Sequence, residues 1–414
     1  MQQPHSGRKG GRVMNPEAYA AKRLKGVEMS AIRLISDRAR ALRAQGHEVV
    51  LFSMGEPDFD TPAPIKEAAK RKIDENRTHY TSNRGAAPLR AAIAERILED
   101  TGVRYDPENE ILLTCGGAEA INNGLAAFLD AGDEAIVLAP AFVSYRNGIR
   151  LCGAAPVEVA LRPEAGFPVC EEELEAAVTE RTKMIVLNNP SNPAGTVLSV
   201  RSLEAVRRVA MRHDLLVFSD EIYSRLVYEG TCASIASLPG MRERTLMMNG
   251  FSKTYAMTGW RVGYLAYPAW MDGLLLRVHQ YSTTTGVTFL QEALAESMNR
   301  PDTLAAAERM RAAFDARRRL AMALLDEIPA LRYVRPQGAF YILIDVRGTG
   351  MDGGQFARRA LEEAHVALVP AASFGGDCAG FVRMSYAAGE EEIRAGLARL
   401  KDWLDAKRRD SHVG

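Results

Sequence analysis

The chain has 414 residues, more than one hydrophobic core usually serves, so its length implies about two domains. It is 47% apolar and 25% charged, which is the composition of an ordinary globular protein and excludes a disordered or fibrous one. Lys plus Arg balance Asp plus Glu at 52 each, so no global field exists to hold nucleic acid or an anionic membrane, and the partners expected are small molecules.

The N-terminal run MQQPHSGRKGGRV is basic with no apolar segment after it, so residues 1–14 are expected to form a disordered extension. Five cysteines (Cys115, Cys152, Cys170, Cys232, Cys378) are scattered without CxxC or Cys/His clustering. That argues against a disulfide framework or a zinc site and fits a reducing cytoplasm. No apolar run approaches the roughly 20 residues that a membrane span needs.

From about Thr61 to about Pro301, short β-rich runs alternate with helical ones, the pattern of a mostly parallel sheet covered by helices. Seven strands are predicted: ILLTC from Ile111, EAIVLA from Glu134, PVEVAL from Pro156, KMIVLNN from Lys183, LLVFSDE from Leu215, TLMMNG from Thr245 and RVGYLAY from Arg261. Helices are predicted between them, including AEAINNGLAAFLDAG, closed by Gly132, and LEAVRRVAMRH. After Pro301 come a long Arg-rich amphipathic helix, the strands YVRPQGAFYILIDV and FVRMSYA, and a terminal helix. This reads as a second, α+β domain packed on the first, because no low-complexity linker separates them.

Several loops between these elements carry chemistry. TCGGAEAI (114–121) joins a strand to a helix start, where free backbone amides and the helix dipole make a natural phosphate seat, although Gly-Gly before a helix is weak evidence alone. APAFVSY (139–145) offers Phe142 at a strand end, which is more often plain core than a stacking ring. NNPSNPAGTVLS (188–199) has two Asn-Pro steps and a Gly, and would otherwise be only a turn. SDEIY (219–223) places Asp220 at a strand end, where ligands of open α/β sheets gather and where a carboxylate also serves merely to cap a helix.

NGFSKTYAMTGWRVGY (249–264) sets Lys253 in a loop between two strands. A lone lysine is most often a solvated charge. Here its neighbours are Gly250, Ser252, Thr254, Tyr255, Thr258 and Gly259, small or hydroxylated residues that let backbone approach a polyanion and donate hydrogen bonds to it, with Arg261 able to grip a phosphate. A lysine partly desolvated beside such a cation has its pKa lowered toward the range where the neutral amine attacks a carbonyl.

The segment around Lys253 resembles the lysine motif of the class I aminotransferases, the fold type I pyridoxal-phosphate (PLP) enzymes, and the resemblance runs from about Gly55 to the C-terminus. It implies an α/β PLP-transferase fold: a large domain at 61–300 around a mostly parallel seven-stranded sheet, and a small domain made of 15–60 and 301–414. Lys253 would hold PLP as a Schiff base, and Asp220 would pair with the pyridine nitrogen. Tyr223 and Asn192 would contact the phenolic oxygen, Asn192 reaching the substrate carboxylate as well. NPSNPAG matches the family's NPxNPTG with Ala194 for Thr. Gly117, Ala118, Glu119, Ser252 and Arg261 would hold the phosphate, and Phe142 would stack on the ring.

Arg383, in FVRMSYA, would clamp the substrate α-carboxylate; the bland alternative is a salt-bridged arginine. Gly55, in SMGEPDFDTP, resembles the segment that closes over the substrate. Tyr80, in THYTSNRG, matches a tyrosine reaching the neighbouring subunit's phosphate, which implies a homodimer. The reaction expected is ping-pong transfer of an amino group from an L-amino acid, aromatic or broad in range, to 2-oxoglutarate or pyruvate. Phe340, Tyr341 and Tyr145 would make an aromatic-tolerant pocket if they face the site.

The same lysine set also serves β-elimination, decarboxylation, oxidation and cyclisation, which the motifs leave open. A PLP-binding transcription regulator needs a DNA-binding module, and the residues before Gly55 show no helix-turn-helix pattern. A Rossmann dehydrogenase would want a GxGxxG opening a helix within the alternating stretch from Thr61 to Pro301, and none is present there.

Overall fold

A computed structural model describes residues 15, 18–29 and 31–413; the expected N-terminal extension lies outside the described residues. The chain begins with α1 (Ala31–Ala44), β1 (Val50–Leu51), α2 (Ala63–Asp74) and α3 (Ala87–Thr101). An alternating stretch follows: β2 (Ile111–Thr114), α4 (Gly117–Ala126), β3 (Glu134–Ala139), α5 (Val143–Leu151), β4 (Ala155–Ala160), α6 (Glu171–Ala176), β5 (Thr182–Asn188), α7 (Val200–Arg212), β6 (Leu216–Asp220), β7 (Thr245–Gly250) and β8 (Gly263–Ala266). Three helices come next, α8 (Asp272–Ser282), α9 (Thr288–Ser297) and α10 (Pro301–Asp326). The last part holds β9 (Arg332–Val334), β10 (Tyr341–Asp345), α11 (Gly353–Glu363), β11 (Val366–Ala367), β12 (Val369–Pro370), β13 (Phe381–Ser385) and α12 (Glu390–Val413).

All seven predicted strands form one sheet in the order β2-β8-β7-β6-β5-β3-β4, and only β8 runs antiparallel to its neighbours. β2, β3 and β8 are buried at every residue. Helices therefore cover both faces, which is why these strands read as continuous apolar runs rather than as an alternation. β8 starts two residues later than predicted, because Arg261 takes a left-handed backbone (φ 57°) that cannot continue a ladder.

The helices follow from local chemistry. α7 is capped by Ser199, whose hydroxyl accepts from the Ser202 amide at 3.1 Å, and it buries Leu203, Val206, Val209 and Ala210 at helical spacing. α4 ends at Ala126, short of the predicted close at Gly132. There Asp133 accepts from the Asp130 amide at 2.9 Å and donates its own amide to the Asp130 carbonyl, a turn that outcompetes further helix.

YVRPQGAFYILIDV splits at its Pro and Gly into β9 and β10, which pair antiparallel and lie beside β13 and β12 in a second sheet. β1 pairs in parallel with β11, Val50 opposite Val366, tying the N-terminal segment to the C-terminal third. One apolar core containing Phe52, Leu112, Phe218, Phe340 and Leu397 runs through both sheets, so the strand ends of the large sheet and the start of β10 are held rigidly against each other.

Candidate active site

The parallel strands β2, β3, β5, β6 and β7 each end in a loop that reaches one cavity of about 300 Å³, where the crevice of an open α/β sheet is expected. Its walls include Gly55, Gly117, Ala118, Phe142, Asn192, Asp220, Tyr223, Ser252, Lys253, Arg261 and Arg383. Eleven of the thirteen residues singled out in the sequence thus converge, from loops as far apart as Gly55 and Arg383.

Lys253 follows β7 and donates to the Gly55 carbonyl at 2.6 Å. Burial, reinforced by the cations Arg383 and Arg261 and opposed by Glu56 and Asp220, brings its pKa down to about 8. Asp220 is fully enclosed, and burial raises its carboxyl to about 6 against the Tyr145 hydroxyl and the Ile222 amide that bond it. Phe142 and Tyr145 lie three residues apart at the start of α5 and meet edge to face at 5.9 Å, so one helix turn supplies both an aromatic wall and the partner of Asp220.

Arg383 is 1% exposed. Its guanidinium donates to Asn192 Oδ1 at 3.0 Å and to the Ser53 carbonyl at 2.8 Å, while Nε has no partner among the described residues. Tyr341 and Phe374 face it at 4.5 and 5.1 Å. No described carboxylate pairs with it, so the salt-bridge alternative does not hold, and burial alone lowers its proton affinity.

Two residues lie elsewhere. Glu119 was expected at the phosphate, but its carboxylate turns back to accept from the Cys115 amide at 2.5 Å and from Asn123 at 2.9 Å, and it meets His279 Nδ1 at 2.7 Å. Burial works to raise its pKa, yet His279 and the Cys115 amide hold it at about 2. Glu119 is the third residue of α4, the position from which a glutamate characteristically reaches back to cap the helix start, so the signal was present in the sequence. Tyr80 is 88% exposed beside Thr285–Phe289, away from this cavity.

The structure adds Ile32 of α1, Ile121, Ser144, Asn188, Ile222 and Met248 to the walls. Tyr145 and Tyr341 do face the cavity, whereas Phe340 packs behind it against Tyr223.

The donor set suits a phosphorylated pyridine aldehyde. Gly116 and Gly117 open α4; Gly116 has φ 77°, which favours glycine, and a Cβ there would lie 2.5 Å from the Arg261 guanidinium and push that cation from its place beside the helix start. Arg261 itself bonds backbone carbonyls of Thr258 and Cys115 and has no carboxylate partner among the described residues, leaving its charge for an anion. A depressed lysine, a buried carboxylate and an anion seat at one sheet edge define a PLP-dependent enzyme of fold type I.

The sequence profile of "Aminotransferase class I and II" matches residues 47–400. The chain is 41% identical to the aromatic-amino-acid aminotransferase 2 of Thermococcus litoralis over 93% of this chain and 98% of that one. It is 42% identical to the aspartate aminotransferase of Pyrococcus abyssi over the same shares. The solved aspartate aminotransferase of Thermus thermophilus with maleate superposes with a TM-score of 0.88 at 40% identity, covering 92% and 99% of the two chains. The chain belongs to the class I and II aminotransferases and transfers amino groups with PLP.

The depressed lysine has a consequence for loading. With Lys253 as the anchor that the resemblance implies, only its neutral amine attacks the aldehyde, so the rate at which apo-protein takes up PLP, followed by absorbance, should rise with pH and level off above about 8. A flat rate between about pH 6 and 9 would contradict it. Between about 8 and 10.5 the unfolded chain binds the proton that folded Lys253 has lost, so this group makes stability rise with pH there.

Proposed function

We propose that the chain moves the amino group of an L-amino acid with a neutral, aromatic or otherwise apolar side chain onto a 2-oxo acid such as 2-oxoglutarate or pyruvate, in two half-reactions at this cavity. The observation that carries the reading is Arg383, a buried guanidinium with no carboxylate of its own, beside the lysine. It binds the α-carboxylate that every donor and acceptor shares, with Asn192 orienting it. Bound here, PLP supplies the electrophilic carbon and the electron-withdrawing ring that stabilises charge at the substrate's α-carbon.

Lys253 anchors the cofactor and, once released, its amine carries the proton from the α-carbon. Asp220 holds the ring nitrogen protonated, Tyr223 bonds the phenolic oxygen, Phe142 covers the ring, and Gly117, Ala118, Ser252 and Arg261 seat the phosphate. Gly55 closes the substrate side.

Among the described residues the cations lining the cavity are Lys253, Arg261 and Arg383. With these committed, no lining cation among the described residues remains for a second carboxylate, while Ile32, Phe142, Ile222 and Tyr341 give apolar walls. This supports an aromatic or broad donor range. The relatives at similar identity act on different donors by name, so identity alone does not choose.

The working unit proposed is a homodimer in which Tyr80 completes the neighbouring site; the nearly full exposure of Tyr80 and Tyr281 supports it, and a fully active monomer by light scattering would contradict it. Five free cysteines support a cytoplasmic setting, and no described helix is long and apolar enough to cross a membrane.

Asp220→Ala tests the scheme: turnover should fall at least about 100-fold while PLP still binds weakly, because the ring loses the charge that makes it an electron sink. Near-normal turnover would remove that role. Release of ammonia, peroxide or carbon dioxide in place of a 2-oxo acid from a donor panel would overturn the reaction.

A further inference from the structure

We infer that Tyr341 is a positioning residue for Tyr223, donating the hydrogen bond that makes the Tyr223 hydroxyl a stronger donor toward the cofactor; the inference rests on Tyr223 facing the phenolic oxygen, as proposed above.

The two hydroxyls are 3.0 Å apart, and the rings meet at 84° with centroids 5.8 Å apart. Both side chains are buried, at 4% and 1% exposure, and Tyr341 starts β10, opposite Ser385 of β13. Its ring lies against Arg383 at 4.5 Å. The hydroxyl occupies the space that Gly55 leaves by lacking a side chain, since a Cβ there would lie 2.8 Å from it. The Gly55 carbonyl in turn accepts from Lys253. Tyr341 therefore stands where the carboxylate clamp, the strap at Gly55 and Tyr223 meet, and the rigid sheet and the core leave it little freedom to turn away.

A phenol has one proton to donate. In the free chain either tyrosine can be the donor of the shared bond. When the Tyr223 proton is given to a phenolic oxygen, the Tyr223 oxygen must accept, and the Tyr341 hydroxyl is already within reach to supply that bond. Hydroxyls donating in series polarise one another, so the second donation is stronger than it would be alone. With PLP bound, a firmer bond to the phenolic oxygen disfavours protonation of the neighbouring imine nitrogen. Removing the Tyr341 hydroxyl weakens that bond, and the imine nitrogen then holds its proton to higher pH.

The test is a pH titration of the visible absorbance of PLP-loaded enzyme for the wild type, Tyr341→Phe, Tyr223→Phe and the double variant. Tyr341→Phe keeps the ring, its packing and its contact with Arg383, so the loaded fold persists. Its titration midpoint should rise by roughly half a pH unit. Tyr223→Phe should move the midpoint further in the same direction, and the double variant should match Tyr223→Phe alone, since Tyr341 acts through Tyr223.

An unchanged midpoint in Tyr341→Phe, with Tyr223→Phe shifted, would overturn the inference while leaving Tyr223 in place. A Tyr341→Phe shift that persists in full without the Tyr223 hydroxyl would also overturn it. An unmoved midpoint in Tyr223→Phe would instead remove Tyr223 from the cofactor, and the inference with it.

Discussion

Lys253→Ala should abolish the visible band of the PLP-loaded enzyme and lower kcat/KM by at least about 10⁴-fold, since the proposed scheme gives this one side chain both the nucleophile's and the proton carrier's part. The side chain is half-buried at the cavity wall, bonded to the Gly55 carbonyl and brought to a pKa of about 8 by its burial and the nearby cations. An amine near neutrality at pH 8 attacks carbonyls and accepts protons, which an ordinary surface lysine does poorly. Lys253→Arg separates these properties from charge. It keeps a cation in the cavity but one that cannot shed its proton, so it should be as inactive as the alanine variant. The fold should tolerate both changes, because the amine contributes a single hydrogen bond to the free chain. A variant that retained the band would move the anchor to another lysine.

Arg383→Met should act with opposite signs on catalysis and on stability. For catalysis, loss of a buried two-point grip on a carboxylate costs about 3 to 4 kcal/mol, so kcat/KM should fall roughly 100- to 1000-fold. The fall should be similar for every donor, because each carries the same α-carboxylate. For stability, the guanidinium is buried without a counter-charge and with Nε unpartnered. Replacing it by an apolar side chain of similar length removes that cost, so the melting temperature of the cofactor-free protein should hold or rise. A drop confined to one donor would contradict a shared clamp. A large fall in melting temperature would return Arg383 to a structural role.

Much of the architecture was legible because the large sheet is buried on both faces. Its strands announce themselves as short apolar runs, and their ends as Gly-, Asn- or Asp-rich loops. Less legible was anything that depends on where a side chain points. Glu119 sits in the right loop, but from the third helical position its carboxylate reaches backward to Cys115 rather than outward. Tyr145 reads as a possible pocket wall, and only the packing of α5 against β3 and β4 turns its hydroxyl onto Asp220. Ile32 gave no signal at all, because its place at the cavity depends on how α1 packs.

By itself the sequence determined the elements, the loops that carry chemistry and, through the residue types around Lys253, a reaction class, because local backbone preference and short motifs are written over a few residues. Tertiary structure alone decided which charges go unpaired. Arg383 is left without a salt bridge, as the proposed clamp requires, because the fold encloses it with aromatic rings and amides and brings no described carboxylate to it. The lysine's lowered pKa owes its larger part to the same origin: desolvation and the distant Arg383 add to Arg261, the one contribution visible in the local sequence.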